Sequence, residues 1–304
     1  MYMEKEEQEK TKPSKPIIKH LVIGGGGTYG FQVFGTLLEL RKNDFFKKED
    51  LISCYGTSVG VILIIMMLLP YEDTELSDYF INRPWHQLFS YNMNQIFSAF
   101  QNKGIYDKTI FKQILLPLLK GVDLEENLTM KDFYEYTNID LHIICTDINK
   151  YMAVDISHTT HPDWTLIEAV YSSCCLPILF QPLEKDGVFY MDGGILVNYP
   201  LIECTESAQK EEILGIYKED EMSKPMDKET TLLEYLNILL QNTAKYIAKQ
   251  CTNVIDYEIK IVATQITLND FYKFAESESF RKESVDMGRK IALDKLAQWE
   301  IPID

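Results

Sequence analysis

Three features of this chain combine reactive residue types with a spacing that suits them. Ser58 lies in Gly56-Thr57-Ser58-Val59-Gly60, a GxSxG pattern. Glycines on both sides permit the tight strand-to-helix turn that projects a serine hydroxyl, and the N–H of Val59 then becomes a donor for an oxyanion. Gly24-Gly25-Gly26-Gly27-Thr28-Tyr29-Gly30 is a glycine loop. At a helix start such a loop presents backbone N–H groups with the positive end of the helix dipole behind them. That arrangement stabilises a phosphate, or the oxyanion of an ester tetrahedral intermediate. Asp192 ends an apolar run and precedes Gly193 and Gly194. It is either a plain Asp-Gly hairpin turn or a carboxylate at the rim of a sheet, close enough to Ser58 to accept its proton.

A serine hydroxyl is a weak nucleophile and needs a base. The histidines are His20, His86, His142, His158 and His161. The usual order of serine, acid and histidine allows Ser58 with Asp147 or Asp155 and His158 or His161. The segment Ser157-His158-Thr159-Thr160-His161-Pro162-Asp163, however, reads as an exposed polar loop. His158 and His161 also lack the HExxH pattern and a third ligand, so no metal site is expected. Gly25 to Gly30 matches GxGxxG, which raises a dinucleotide-binding alternative. That fingerprint wants an acidic residue after the second strand, whereas Asp50 precedes it, and Phe31-Gln32 stands where a phosphate loop needs Lys-Ser/Thr. Stabilisation by NAD(P) would separate that alternative from a hydrolase.

These residues must be positioned by strands and helices that the apolar pattern locates. His20–Ile23 reads as a strand, and Phe31, Phe34, Leu37, Leu38 and Leu40 recur after the glycine loop at helical spacing. Leu51–Tyr55 reads as a second strand, followed by the GxSxG turn and an apolar run from Val59 to Leu69. As a helix that run would be about 16 Å long, well short of a roughly 30 Å hydrocarbon core, so it predicts a buried helix and not a membrane anchor. Strand, turn and helix repeated in this way predict a parallel sheet with helices packed on it. From Tyr71 to Leu119 the chain reads as helices rich in aromatics, among them Trp85, Phe89, Tyr91, Phe97, Phe100 and Phe111. They form either an acyl-binding wall or lid, or ordinary helix packing. Further strands are expected at residues 141–146, 152–154, 188–191, 212–217 and 259–263. Helices are expected at residues 167–175, 232–247 and 280–299.

Composition bounds the function. At 304 residues the chain is long enough to bury a large core, and 46% apolar with 25% charged residues is ordinary for a soluble globular protein. A formal net charge of -16 argues against nucleic acid as a partner, and against strong non-specific attraction to an anionic membrane. Cys54, Cys145, Cys174, Cys175, Cys204 and Cys251 show no CxxC spacing, and most lie in apolar stretches, as buried thiols of a reducing compartment do. The Lys/Glu-rich start lacks the apolar core of a signal peptide, so a cytoplasmic protein with peripheral contact at membranes is expected. Residues 1–17 read as a mobile charged tail whose Lys10, Lys12 and Lys15, with the adjacent Lys19, reach either solvent or a lipid surface. Residues 18–304 read as one α/β domain, its motifs within about 20–207 and the remaining elements completing it.

The glycine loop between strand and helix, the Gly-Thr-Ser-x-Gly turn shortly after it, and Asp192-Gly193-Gly194 followed by Asn198-Tyr199-Pro200 resemble the patatin-like phospholipase family. Ser172 to Leu183 is similar to that family's Ala-Ser-x-x-x-Pro stretch, and Ile143 to Lys150 to its strand ending in Thr-Asp. The resemblance implies a three-layer sandwich, with a central, mostly parallel sheet between helices. It implies a lipid acyl hydrolase that works through a Ser-Asp dyad and an acyl-enzyme, with no histidine, metal or cofactor. Carried over by position, Ser58 is the nucleophile and Asp192 the base. Gly25, Gly26, Gly27 and Val59 supply oxyanion amides, and Gly30, Gly56, Gly60, Gly193 and Gly194 set the turns. The partners implied are a lipid ester and a transient lipid surface. An inactive lipid-binding member is the alternative within the same resemblance. One position departs from the pattern: the family usually carries Arg or Lys where this chain has Tyr29. Loss of that cation predicts a preference for neutral or less anionic acyl esters.

Overall fold

The structure is a computed structural model and describes residues 15–90, 93–220, 226–248, 254–263 and 268–303. Most of the N-terminal tail, including Lys10 and Lys12, lies outside the described residues, as do Tyr91 and Cys251. Ten strands are present among the described residues: β1 (His20–Ile23), β2 (Ser53–Thr57), β3 (Gly104–Tyr106), β4 (Asp140–Asp147), β5 (Met152–Ile156), β6 (Ile178–Phe180), β7 (Leu183–Lys185), β8 (Val188–Asp192), β9 (Ile213–Asp220) and β10 (Tyr257–Ala263). Eight form one sheet in the order β10-β9-β1-β2-β4-β8-β7, with β5 also on β4, while β3 and β6 pair separately. From β10 to β4 the sheet is parallel. β5, β7 and β8 add antiparallel pairings at the other end.

The two faces of the sheet are covered by different cores. Side chains alternate along a strand, and β1 shows the result. Leu21 and Ile23 join the large core built with the helices Gly30–Lys42, Val59–Leu68 and Glu278–Gln298. Val22 joins a smaller one with Tyr55, Leu201, Cys204, Ile213 and Ile255. Every residue of β1 and β2 is buried, as expected of inner strands in a parallel sheet covered on both sides. The helix Val59–Leu68 buries all residues after its first, and its run of Val, Ile, Leu and Met has nearly no polar face to offer water. No helix among the described residues is long and apolar enough to cross a membrane.

Helices Gly30–Lys42 and Glu278–Gln298 cross closely. Cβ atoms added at Gly35 or Gly288 would overlap the carbonyl oxygen of Val285 or Gln32, respectively, so only glycine lets the two backbones meet there. The Thr36 hydroxyl lies within bonding reach of the carbonyls of Gln32 (2.9 Å) and Gly288 (3.0 Å). Arg281 is buried, and its guanidinium donates to the carbonyls of Ile81, Phe274 and Ala275. It thereby ties helices Asp73–Asn82 and Leu268–Glu276 to the same scaffold.

The expected tail is partly docked. The Lys15 ammonium donates to the Asn43 carbonyl at 2.8 Å, and Lys19 pairs with Glu212 at 2.5 Å. The expected strand at 51–55 begins two residues later: the Leu51 N–H still bonds the Lys48 carbonyl of the turn Lys48–Asp50, and the register with β1 starts at Ser53, opposite His20. Cys54, Cys145, Cys174, Cys175 and Cys204 are buried free thiols.

Candidate active site

Ser58 and Asp192 are brought together by one edge of β4. β2 runs parallel to β4 and stops at Thr57, level with Ile144. β8 runs antiparallel to β4 and stops at Asp192, level with Cys145. β5 occupies the opposite edge across these same residues, so β2 and β8 share an edge and meet end to end. The last residue of each therefore stands one rung from the other. The Thr57 hydroxyl donates to the Val197 carbonyl at 3.0 Å, and the Thr146 hydroxyl to the Asp192 carbonyl at 3.2 Å, which fixes both strand ends.

The serine turn is strained and held. Ser58 has φ 54° and ψ -131°, outside the regions a serine normally occupies, at a cost of about 1–3 kcal/mol. Its N–H donates to the Ser173 hydroxyl at 2.9 Å, and that hydroxyl donates to the Ile144 carbonyl at 2.6 Å. Gly60 packs so closely that an added methyl would overlap the carbonyl oxygens of Ile23 and Gly24. So fixed, the Ser58 hydroxyl donates to Asp192 Oδ2 at 2.7 Å, while Asp192 Oδ1 accepts the Gly194 N–H at 2.7 Å. Burial pushes the Asp192 carboxyl up to about 6, against the lowering effect of those two hydrogen bonds. A carboxylate in that range is ionised at neutral pH yet basic enough to receive a proton.

The glycine loop faces the serine from β1. A Cβ at Gly25 would lie 3.2 Å from Ser58 Cβ, so loop and nucleophile are in contact. The sequence led us to expect three donors here, and the geometry divides them. The Gly25 N–H is already committed to the Asn198 carbonyl at 2.9 Å, and Asn198 Nδ2 returns a bond to the Gly25 carbonyl at 3.1 Å. Gly25 is therefore locked as the hinge of the loop. The N–H groups of Gly26 and Gly27 have no acceptor among the described residues, and Val59 opens the helix Val59–Leu68, where a first-turn N–H has no intrahelical partner. Gly30 and Gly56 are buried against the elbow helix, at Val59 and at Val61 and Ile64 respectively, and Gly193 is buried against Ile144 and Thr57.

Ser58 opens into a cavity of about 860 Å³ with two unlike walls. One is apolar and aromatic, with Phe31, Phe80, Trp85, Phe89, Phe111 and Phe274 among its residues. Phe31 stacks on Phe80 at 4.3 Å, and Trp85 lies between Phe80 and Phe89. The other is polar and comes from the ends of β9 and β10, where Lys218 faces one side of the sheet and Glu219, Glu258 and Lys260 the other, and from Lys245 on the helix Leu232–Ala248. Of the aromatics that the sequence left between two readings, Trp85, Phe89 and Phe111 line the cavity, and Phe97 and Phe100 are exposed. Cys174 also lines it, as a thiol whose pKa burial raises well above the ordinary value.

Tyr29 has a cation from another strand beside it. Lys218 Nζ lies 5.4 Å from the centre of the Tyr29 ring, within cation–π range. No local sequence signal connects these two positions, nor Ser173 with the backbone of Ser58. The histidine candidates are elsewhere. His158 bonds Asp140, and His142 bonds Asp155 while stacking on Tyr55. Asp140 is level with Ser53, five residues before Ser58, so His158's partner lies roughly 16 Å from the serine along the strand. The His161 ring bonds its neighbour Thr160 and packs edge-on against Trp164.

The sequence matches the model of the patatin-like phospholipase family over residues 21–205. It is 26% identical over 190 residues to the uncharacterized protein R571 of Acanthamoeba polyphaga mimivirus, across 62% of each chain. It is also 26% identical over 187 residues to the probable lipid hydrolase 463L of Invertebrate iridescent virus 6, across 60% of this chain and 62% of that one. The alignments thus span about three fifths of these relatives. The crystal structure of VipD from Legionella pneumophila superposes with a TM-score of 0.56 at 16% identity, covering 94% of this chain and 68% of VipD, a likeness of fold.

Proposed function

This chain belongs to the patatin-like phospholipase family, and from that premise we propose that it is a lipid acyl hydrolase whose nucleophile is Ser58 and whose base is Asp192. The observation that carries the reading is the 2.7 Å bond from the Ser58 hydroxyl to a buried carboxylate, made at a strained turn inside an apolar cavity. In acylation, Ser58 Oγ bonds the ester carbonyl carbon while its proton passes to Asp192. The amides of Gly26, Gly27 and Val59 meet the oxyanion, and Asp192 returns the proton to the leaving alcohol. In deacylation, a water attacks the acyl-serine while Asp192 takes its proton, and that proton restores the serine hydroxyl. Asp192 thereby serves both half-reactions without a histidine.

The aromatic wall fits an acyl chain, and a transient lipid surface is the source of substrate. We read residues 18–304 as one catalytic unit, because Phe271, Phe274 and the helix Leu232–Ala248, all beyond residue 207, contribute to the cavity. Incubation with a fluorophosphonate followed by mass spectrometry should place the label on Ser58. Ser58→Ala and Asp192→Asn should each lower turnover of a chromogenic ester by about a thousandfold or more while the circular dichroism stays native. Substantial turnover in either variant would rule out the dyad.

A further inference from the structure

We propose that the helix Met93–Asn102 and the turn between β4 and β5 form one docking surface for a zwitterionic lipid layer, with Phe97, Phe100, Ile148, Tyr151 and Met152 as its apolar contacts. The proposal rests on the hydrolase reading above and names the surface through which that site reaches aggregated lipid.

The helix Met93–Asn102 is turned inside out. Phe97 and Phe100 are 68% and 86% exposed, while Gln95, Ser98 and Ala99 are half-buried. Residues three or four apart share a helix face, so Phe97 and Phe100 lie together, and Gln95 and Ala99 lie together on the other side. Water around the helix would favour the reverse arrangement. The turn shows the same anomaly, since Ile148, Tyr151 and Met152 are exposed as well. Lone exposed apolar side chains are ordinary, but a joined set marks a partner. Phe189 of β8 makes the join. The Lys103 ammonium, one residue past the helix, stands 5.7 Å from the centre of its ring. Its carbonyl accepts the Ile148 N–H at 2.8 Å, and its own N–H donates to the Asn149 side-chain oxygen at 3.0 Å.

The surface lies at the catalytic end of the sheet. β2 ends at Thr57, level with Ile144, and β4 runs on for three residues to Asp147, so the turn stands about 10 Å beyond the serine elbow on the same side. The helix packs on β3, β3 pairs with β6, and Phe180 of β6 lines the cavity. The Tyr106 hydroxyl of β3 donates to the carbonyl of Phe89, another cavity residue, at 2.6 Å. Docking helix and acyl wall are thus neighbouring layers.

Charge selects the occupant. No Asp or Glu occurs between Asp78 and Asp107, in a chain that has 46 of them, and the stretch carries Arg83 and Lys103. Lys150 is the one charged residue in the turn 148–151. Exposed acids return one strand further out, at Glu184 on β7 and Asp186 in the turn to β8. Apolar contacts flanked by lysines match a layer whose acyl chains lie beneath phosphate oxygens. The net charge of -16 restricts that layer to one without net charge of its own, because an anionic layer repels the rest of the molecule. A protein held there permanently would stand between the catalytic end of the sheet and its lipid.

Vesicles of dioleoylphosphatidylcholine should carry the full chain upward in a flotation gradient, and Phe97→Ser/Phe100→Ser should weaken that partition about tenfold or more. The same double variant should leave kcat/KM on soluble p-nitrophenyl butyrate unchanged. Phe97→Trp should float like the wild type and add fluorescence that brominated lipid quenches. Equal losses of vesicle binding and of soluble-ester turnover would assign the two side chains to the fold, and would overturn the proposal. So would vesicle binding that the double variant retains in full. Should the double variant fail to fold, the tryptophan decides, and no quenching beyond that of the wild type would overturn the proposal. Sedimentation showing a wild-type dimer and a monomeric double variant would put a second copy on this face instead of lipid. Wild-type protein that cleaves the soluble ester but binds no vesicles would sink this inference and leave the hydrolase standing. Vesicle binding lost in the double variant, without ester turnover or fluorophosphonate labelling in the wild type, would remove the hydrolase and leave the docking surface.

Discussion

Asp192 is a residue whose position costs stability and confers basicity in one stroke. An unburied aspartate loses its proton near 3.8, but this one only near 6. The folded state therefore holds the proton longer than the unfolded chain. Below about pH 4 both are neutral and there is no penalty; above about pH 6 the folded state carries a buried charge that costs about 3 kcal/mol. Asp192→Asn keeps the acceptor for Ser58 without that charge. It should raise the thermal midpoint above about pH 7, with the gain vanishing as pH falls below about 4. A midpoint unchanged at neutral pH would contradict the raised pKa. For the wild-type protein, log kcat/KM should fall by about one per pH unit below about 6, because the base is then protonated. Ser58 and Asp192 were both legible in the sequence, since each sits where an apolar run meets glycines. Ser173 was not, because its hydrogen bond to Ser58 spans 115 positions and leaves no local pattern.

Among the elements, strands β1, β4, β8 and β10 and the elbow helix follow from apolar runs bounded by glycine, proline or aspartate. Orientation does not follow in the same way. Nothing in Val188–Asp192 says that it runs against β4, and that antiparallel placement is what turns its last residue towards Ser58. The helix crossing is hidden for a related reason. Gly35 inside an otherwise strong helical pattern reads as a weakness until its partner Gly288 is known. Gly288→Ala would drive a methyl into the Gln32 carbonyl and separate the helices, at a cost of about 2 kcal/mol or more. Its thermal midpoint should drop by about 4 °C or more, read by circular dichroism. A midpoint equal to the wild type would show that the crossing can relax freely.

At the scale of the molecule, the acidic balance and the cavity pull in different directions. A net charge of -16 repels an anionic bilayer over roughly a Debye length, about 10 Å at 0.1 M salt, whereas the lysines of the polar wall act only at contact. Hydrolysis of vesicles rich in anionic lipid should therefore speed up as salt is added, while hydrolysis of purely zwitterionic vesicles should change little. Salt slowing the reaction on anionic vesicles would mean that a basic patch dominates docking. Overall charge and the α/β class could be read from the sequence, because they are sums and patterns. The two-walled cavity could not, because its walls come from segments as distant as Phe31, Lys218 and Phe274.

The end-to-end meeting of β2 and β8 has a consequence for synthesis. Asp192 lies 134 positions after Ser58, and only β4, with both strands seated on one edge, sets the two side by side. A nascent chain that has emerged as far as the elbow carries a serine with no base, and one halted in mid-fold carries both without contact. On the proposed dyad, the chain would have no activity on lipid until β8 is seated beside the end of β2. Reactivity at Ser58 would then report that β8 has taken its place on β4.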